Sequence, residues 1–463
     1  MSDFMSGMTF STGSGFYYGF NNPIGEDQLA NVVKPMGVTW IALMFPCSMS
    51  SVDSPIVVCN TSAGTPSDRS IKHIIMYAKN LGLRVFLKPN LIIPSGGYAF
   101  QVRMKSEADW KTFFSSYTEA MVHLAEISAE TGVDYFSVGT EMSSSQYRDA
   151  EWRKVIQDIR RVYPGPLTYS AIHSGAETSI SWWDALDAIG VDAYYPLTNL
   201  KNPTVDQLKA GWKTHVSVLE ALSKKWDRPI IFTEAGYTSK EGTNRSPAAE
   251  LLDQPIDLQE QADCYQALIE VFSGKPWWKG VFWFQQSVMP AEGGTAGQFW
   301  EINGKPAENV LRAFNGQPPF PTPTPIQNYD SENNQHLEIY SDQLGKIWEL
   351  PAVFTWADIA STDQVFNGRY SLKVHFNPWG LITFWTDPAL ELSDYDFLEF
   401  YIYIEKIKNE YYPNINVAFN DADGVLMLAM PDVMRPSLFS LPHQAACQRV
   451  QPNVTYRLSI FEE

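Results

Sequence analysis

The stretch Val133-Asp134-Tyr135-Phe136-Ser137-Val138-Gly139-Thr140-Glu141-Met142 is a β-branched and aromatic run that ends in a lone carboxylate. It reads as a strand that carries Glu141 at its C-terminal tip. The design recurs in Arg228-Pro229-Ile230-Ile231-Phe232-Thr233-Glu234-Ala235-Gly236-Tyr237, where Glu234 closes a second short apolar run. If both strands belong to one parallel barrel, their C-terminal tips open on the same face. Two carboxyls facing one cleft are suited to breaking a glycosidic bond.

Outward from these two strands, strand-like runs alternate with helical patterns, the signature of βα units. Eight strands are expected, at Phe16 to Phe20, Thr39 to Phe45, Arg84 to Lys88, Tyr135 to Thr140, Leu167 to Ala171, Ile189 to Ala193, Pro229 to Thr233 and Gly280 to Phe284. Helical patterns follow them in turn, from Glu26 to Met36 through Lys305 to Phe314. In the second, Thr65 is a candidate cap with Pro66 at the first helical position, and Ile71, Ile74, Ile75 and Ala78 recur at helical spacing. Eight such units within about 300 residues predict an α/β fold, a (β/α)8 TIM barrel over residues 1–315. Gly13-Ser14-Gly15 precedes the first expected strand rather than following it, which argues against a dinucleotide site.

Residues 316–330 change character. The run Gln317-Pro318-Pro319-Phe320-Pro321-Thr322-Pro323-Thr324-Pro325 forms neither helix nor sheet and reads as a stiff Pro/Thr-rich spacer. Residues 331–463 then read as a smaller all-β sandwich or jelly-roll domain, with strands such as Tyr370 to Phe376 and Phe397 to Ile404. Asp421-Ala422-Asp423-Gly424 lacks the further ligands of a calcium loop and reads as a hairpin turn. Trp348, Trp356, Trp379 and Trp385 divide between sandwich core and glycan-stacking roles without a signal to separate them. From Pro431 to Glu463 the alternation weakens, which leaves the last strands unassigned and completeness of the module open.

The chain has 463 residues, 44% of them hydrophobic and 19% charged, with an aromatic share of 14% that is generous enough for exposed stacking surfaces. A formal charge of −18 argues against nucleic acid and anionic membrane as partners, because both require a basic face. The expected partner is a neutral glycan, bound by a monomer. No run of apolar residues is long enough to span a bilayer, and the first residues lack the basic and apolar regions of a leader. The Pro/Thr spacer nonetheless favours an extracellular enzyme over a cytoplasmic one. Of the four cysteines, only Cys47 and Cys59 are placed to pair locally, across one long loop; two idle thiols are the alternative.

Taken together, Gly7-Met8-Thr9-Phe10, Leu87-Lys88-Pro89, Val138-Gly139-Thr140-Glu141, Ser181-Trp182-Trp183-Asp184, Gly190-Val191-Asp192-Ala193-Tyr194-Tyr195-Pro196, Phe232-Thr233-Glu234-Ala235-Gly236-Tyr237 and Gly280-Val281-Phe282-Trp283 resemble glycoside hydrolase family 113, a β-mannanase family of the large (β/α)8 clan. The resemblance implies retaining hydrolysis of β-1,4-mannan or glucomannan, with Glu141 as acid/base and Glu234 as nucleophile, and no metal or organic cofactor. It leaves two alternatives: a related β-glucan or oligosaccharide as substrate, and a carbohydrate-binding protein on a catalytically silent barrel. The sequence departs from the family pattern at Asn90, where His is expected, and at His173, where Asn is commoner. It also carries Thr140 where the wider clan has Asn before the acid/base.

Retaining hydrolysis needs carboxyls about 5 to 5.5 Å apart, one protonated and one ionised, so their surroundings must separate their pKa values. Tyr194 or Tyr195, at the end of the sixth strand, is the natural hydrogen-bond donor to Glu234. Lys88 divides between a rim ion pair and a substrate contact, and Asn90 and His173 between loop structure and sugar contacts. Trp283, at the tip of the eighth strand, is a candidate floor for the sugar beside the scissile bond, with barrel core as the alternative, and Trp300, in a Gly-rich loop, is a candidate for a further stacking platform.

Overall fold

The computed structural model describes residues 4–12, 20, 25–26, 28–61, 64–173, 175–288 and 298–320, and eight short backbone segments between 340 and 461. The chain divides into two compact units, Met1–Pro321 and Thr322–Glu463.

The first unit is a closed barrel of eight parallel strands in sequential order. They are β1 (Met5–Ser11), β2 (Trp40–Ser48), β3 (Arg84–Ile92), β4 (Tyr135–Thr140), β5 (Leu167–Ile172), β6 (Ile189–Asp192), β7 (Ile230–Ala235) and β8 (Trp278–Ser287). The intervening helices are α1 (Asp68–Asn80), α2 (Glu107–Thr131), α3 (Asp149–Val162), the short α4 (Ala176–Ser179), α5 (Val205–Trp226), α6 (Leu258–Phe272) and α7 (Pro306–Phe314).

One strand was expected in the wrong place. The first barrel strand is Met5–Ser11, paired with both β2 and β8, and not Phe16 to Phe20, of which only Phe20 is described, outside any strand. A run of Ser, Gly, Met and Thr lacks an obvious strand signature. It forms one here because it is buried along its whole length and small residues are what the barrel wall accommodates: Gly7 lies directly against the Phe282 ring.

Alternation along the strands separates two layers. Trp40, Ala42, Phe86, Tyr135, Ile231 and Phe282 point inward and plug the barrel. Their neighbours Ile41, Leu43, Val85 and Leu87 point outward and join the larger core under the helices. Lys88, two residues beyond Phe86, therefore points inward, toward the open end.

The caps follow side-chain chemistry. Ser67, not Thr65, caps α1 by accepting from the Ser70 N–H, while the Thr65 hydroxyl donates to the Pro46 carbonyl at 2.7 Å. Ser106 caps α2, and Gly132 closes it in the left-handed conformation. Cys47 and Cys59 form a disulfide that ties the end of β2 to the loop after it.

In the second unit the described backbone forms antiparallel pairs, including Ala352–Ser361 with Ser371–Ile382 and Phe397–Tyr403 with Thr455–Phe461. The start of the expected spacer, residues 316–320, is described and lies back against α7, the Phe320 N–H donating to Asn309 Oδ1 at 2.6 Å; the rest of the spacer, the sandwich architecture and the four tryptophan side chains lie outside the described residues.

Candidate active site

Glu141 and Glu234 stand at the C-terminal ends of β4 and β7, on one face of the barrel. Glu141 follows the last residue of its strand in the left-handed conformation, with φ of 54°, a placement that costs a non-glycine residue on the order of 1 kcal/mol. Two hydrogen bonds hold it there. The Glu141 N–H donates to the Ser170 carbonyl at 2.8 Å, and the Met142 N–H donates to the buried Tyr169 hydroxyl at 2.7 Å. Gly139 is needed just before the turn, because a Cβ there would sit 2.9 Å from Trp152 and 3.0 Å from the Tyr117 hydroxyl.

Glu234 is buried and receives a donor on each oxygen. Tyr194 donates its hydroxyl to Oε2 at 2.7 Å, and the Lys88 ammonium donates to Oε1. A register shift between β6 and β7 sets Glu234 opposite Asp192. Asp192 lies 3.4 Å from the Lys88 ammonium through Oδ2 and accepts from the Thr233 hydroxyl through Oδ1 at 2.7 Å. Lys88 and Asp192 are both fully buried. Burial alone would lower the Lys88 pKa, but the Asp192 and Glu234 charges outweigh it and hold the ammonium above its ordinary range.

The surroundings treat the carboxyls differently. Burial first, then the negative charges of Asp192 and Glu234, push Glu141 up to about 8, against the pull of Lys88. Burial, then the Glu234 charge, raises Asp192 to about 7. Glu141 thus holds its proton more tightly than an exposed carboxyl does, while Glu234 accepts hydrogen bonds from a cation and a phenol.

The other expected residues fall into distinct places. Tyr194 reaches Glu234, but Tyr195 turns away and donates to the buried Glu177 at 2.8 Å. Lys88 is a buried ion-pair partner, not an exposed substrate contact. Thr140 is buried and donates to the Pro89 carbonyl at 3.1 Å. Asn90 and His173 are half-buried, and among the described residues Asn90 Oδ1 and His173 Nδ1 have no hydrogen-bond partner. Asn90 lies on the same face of β3 as Lys88, one step nearer the mouth. The His173 ring is edge-on to Tyr194 at 6.2 Å and is held neutral by burial, which lowers its pKa to about 4.

Trp283 is not the expected floor. It is fully buried and stacks on Tyr265 of α6 with centroids 4.3 Å apart, so its face is already covered. Two-residue alternation turns Trp283 outward and Phe284 inward. Phe284 is half-buried, 6.1 Å from Tyr194 and 5.5 Å from Trp300, both edge-on. Trp300 stands over the end of β7, near Gly236, its indole N–H donating to the Pro247 carbonyl at 2.9 Å. Much of the Gly-rich loop before it lies outside the described residues. Trp182 and Trp183 are both fully buried.

Sequence reading missed Asp192 and Phe284 as site residues. Asp192 had a signal, an acid within the apolar run Ile189-Gly190-Val191, in phase with an inward position. Phe284 had only its parity relative to Phe282.

A parallel (β/α)8 barrel with two carboxyl-bearing strand ends at one mouth, one acid raised by burial and one hydrogen-bonded to a cation and a phenol, is the architecture of a glycoside hydrolase. The chain belongs to glycoside hydrolase family 113, whose model matches residues 8–305. Solved structures agree. A structure described as a complex of a GH113 β-1,4-mannanase is 27% identical with a TM-score of 0.61, over 68% of this chain and 99% of that one. The GH113 β-mannanase AaManA from Alicyclobacillus acidocaldarius, in complex with ManMIm, is 30% identical with a TM-score of 0.59, over 68% of this chain and 97% of that one. No match was found among curated proteins.

Proposed function

We propose that the chain hydrolyses β-1,4-linked mannan or glucomannan with retention of anomeric configuration. The observation that carries this reading is the division of labour between the carboxyls: Glu141 is raised to about 8, whereas Glu234 is held between Lys88 and Tyr194. The β-mannanase relatives at 27% and 30% identity support the choice of substrate.

In the first step the Glu234 carboxylate attacks the anomeric carbon as the bond to the leaving oxygen breaks, and the Glu141 proton passes to that oxygen. The products are a glycosyl ester on Glu234 and a shortened chain. In the second step Glu141, now ionised, takes a proton from water as the water oxygen attacks the same carbon, which releases the sugar and restores both carboxyls. Lys88 and Tyr194 stabilise Glu234 as an anion before attack and as a leaving group afterwards. Phe284 and Trp300 offer aromatic surface for the sugar beside the scissile bond.

The Cys47–Cys59 disulfide supports an oxidising, extracellular setting. Residues 1–315 are proposed to work as a monomeric barrel, and residues 331–463 as a β-sandwich module that binds glycan, joined by the spacer.

The test is incubation with mannan, glucomannan, cellulose, xylan and mannohexaose, with released sugars read by chromatography against a Glu234→Gln control. Manno-oligosaccharides from the unmutated chain alone are expected. Products from another glycan would reassign the substrate. Binding without turnover, unchanged by Glu234→Gln, would replace catalysis with carbohydrate binding.

A further inference from the structure

The loop between β3 and α2 opens on the same face as Glu141 and Glu234, and it displays aromatic surface with no use in the site so far described. Tyr98 is 65% exposed. Its ring lies on that of Phe100, 5.1 Å between centroids and within 5° of parallel, so one face of Tyr98 is backed while the rest stays open to solvent.

The loop is braced from two sides. The Tyr98 N–H donates to Gln101 Oε1 at 3.1 Å, and the Gln101 N–H returns to the Tyr98 carbonyl at 2.9 Å. Beneath it, Gly97 has φ of +123° and leaves room for Val52, which a Cβ would approach within 2.7 Å. Val52 belongs to the loop closed by the Cys47–Cys59 disulfide, and its carbonyl accepts from the Arg103 N–H at 2.9 Å. An exposed ring backed by a half-buried one on a rigid support loses little entropy on binding, which distinguishes it from a loosely tethered surface ring.

The other side of the loop is tied to the connection that starts at Glu141. Ser144 donates its hydroxyl to the Val102 carbonyl at 2.6 Å, and the helical turns Ala99–Gln101 and Ser143–Ser145 pack together. A general acid stands beside the leaving oxygen, so the sugars that depart extend past Glu141 and not past Glu234. From this placement we infer that Tyr98 and Phe100 form a stacking platform for the leaving-group part of a β-linked hexose chain. The inference rests on the proposed acid role of Glu141. It assigns the platform to polymer recognition and not to the chemical step, which acts through residues buried in the barrel mouth.

The test compares mannohexaose with an aryl β-mannoside, whose leaving group is too short to span a second sugar site. Tyr98→Ala is expected to lower kcat/KM on mannohexaose, relative to the aryl glycoside, by about two- to tenfold, through KM, and to shift the distribution of hexaose products. Tyr98→Phe keeps the ring and should restore the ratio. Unfolding midpoints of both variants check that the change is not one of folding. An unmoved ratio and unchanged products, in a chain that cleaves mannohexaose, would overturn the platform and leave the mannanase reading intact. Failure of the unmutated chain to cleave any β-mannoside would overturn both.

Discussion

Replacing Glu141 with Gln should make the protein more stable, by an amount that grows with pH. The Glu141 carboxyl is displaced upward from 4.5 to about 8, mainly because burial disfavours its charged form. Between those values the folded chain keeps a proton that the unfolded chain releases. The stabilisation this supplies is fully present below pH 4.5 and is lost as pH rises through about 8. A displacement of this size corresponds to about 5 kcal/mol if wholly realised. Glu141 is only partly enclosed, and solvent at its open edge reduces the realised share to on the order of 2–3 kcal/mol. Gln has the same shape and never ionises, so the variant escapes the loss. Urea unfolding followed by tryptophan fluorescence at pH 5, 7 and 9 measures it. Glu141→Gln should lie close to the unmutated chain at pH 5 and exceed it at pH 9. A gap that stays constant, or that favours the unmutated chain at pH 9, would refute the claim that its surroundings raise Glu141. The same ionisation predicts that glycan hydrolysis by the unmutated chain falls as pH rises through about 8.

Lys88→Met should cost about 3–5 kcal/mol at neutral pH, because it leaves Glu234 and Asp192 buried without their shared cation. The deficit should shrink at pH 5, where Asp192, raised to about 7, takes up a proton; urea midpoints at the two pH values read the difference. Trp283 and Phe284 should separate by readout. Trp283→Leu opens a gap against Tyr265 and should lower stability by about 2–4 kcal/mol with KM for mannohexaose unchanged, while Phe284→Ala should raise KM with a smaller loss of stability.

The barrel was legible because a parallel strand buried on both sides must be written as a short apolar run between helical patterns. Tyr135–Thr140 and Pro306–Phe314 fall within their expected bounds. β1 was missed for a related reason: with Gly7 against Phe282, its wall needs small residues that carry no strand preference. Glu141 and Glu234 could be found because an acid that closes an apolar strand is conspicuous in a linear text. A tyrosine at the end of β6 is expected beside Glu234, but Tyr194 and Tyr195 are adjacent and only their opposite directions decide which hydroxyl arrives.

The sequence by itself determined the repeat of strand and helix, and with it the common face on which both carboxyls open. Tertiary structure alone decided their chemistry. Lys88, Asp192 and Glu234 come from three different strands and meet only when the barrel closes. Phase along β8 hides Trp283 and turns Phe284 toward the mouth, and closure of the mouth supplies the burial that raises Glu141. Local sequence carries the period of a strand, whereas the field at a carboxyl is a sum over neighbours distant in the chain.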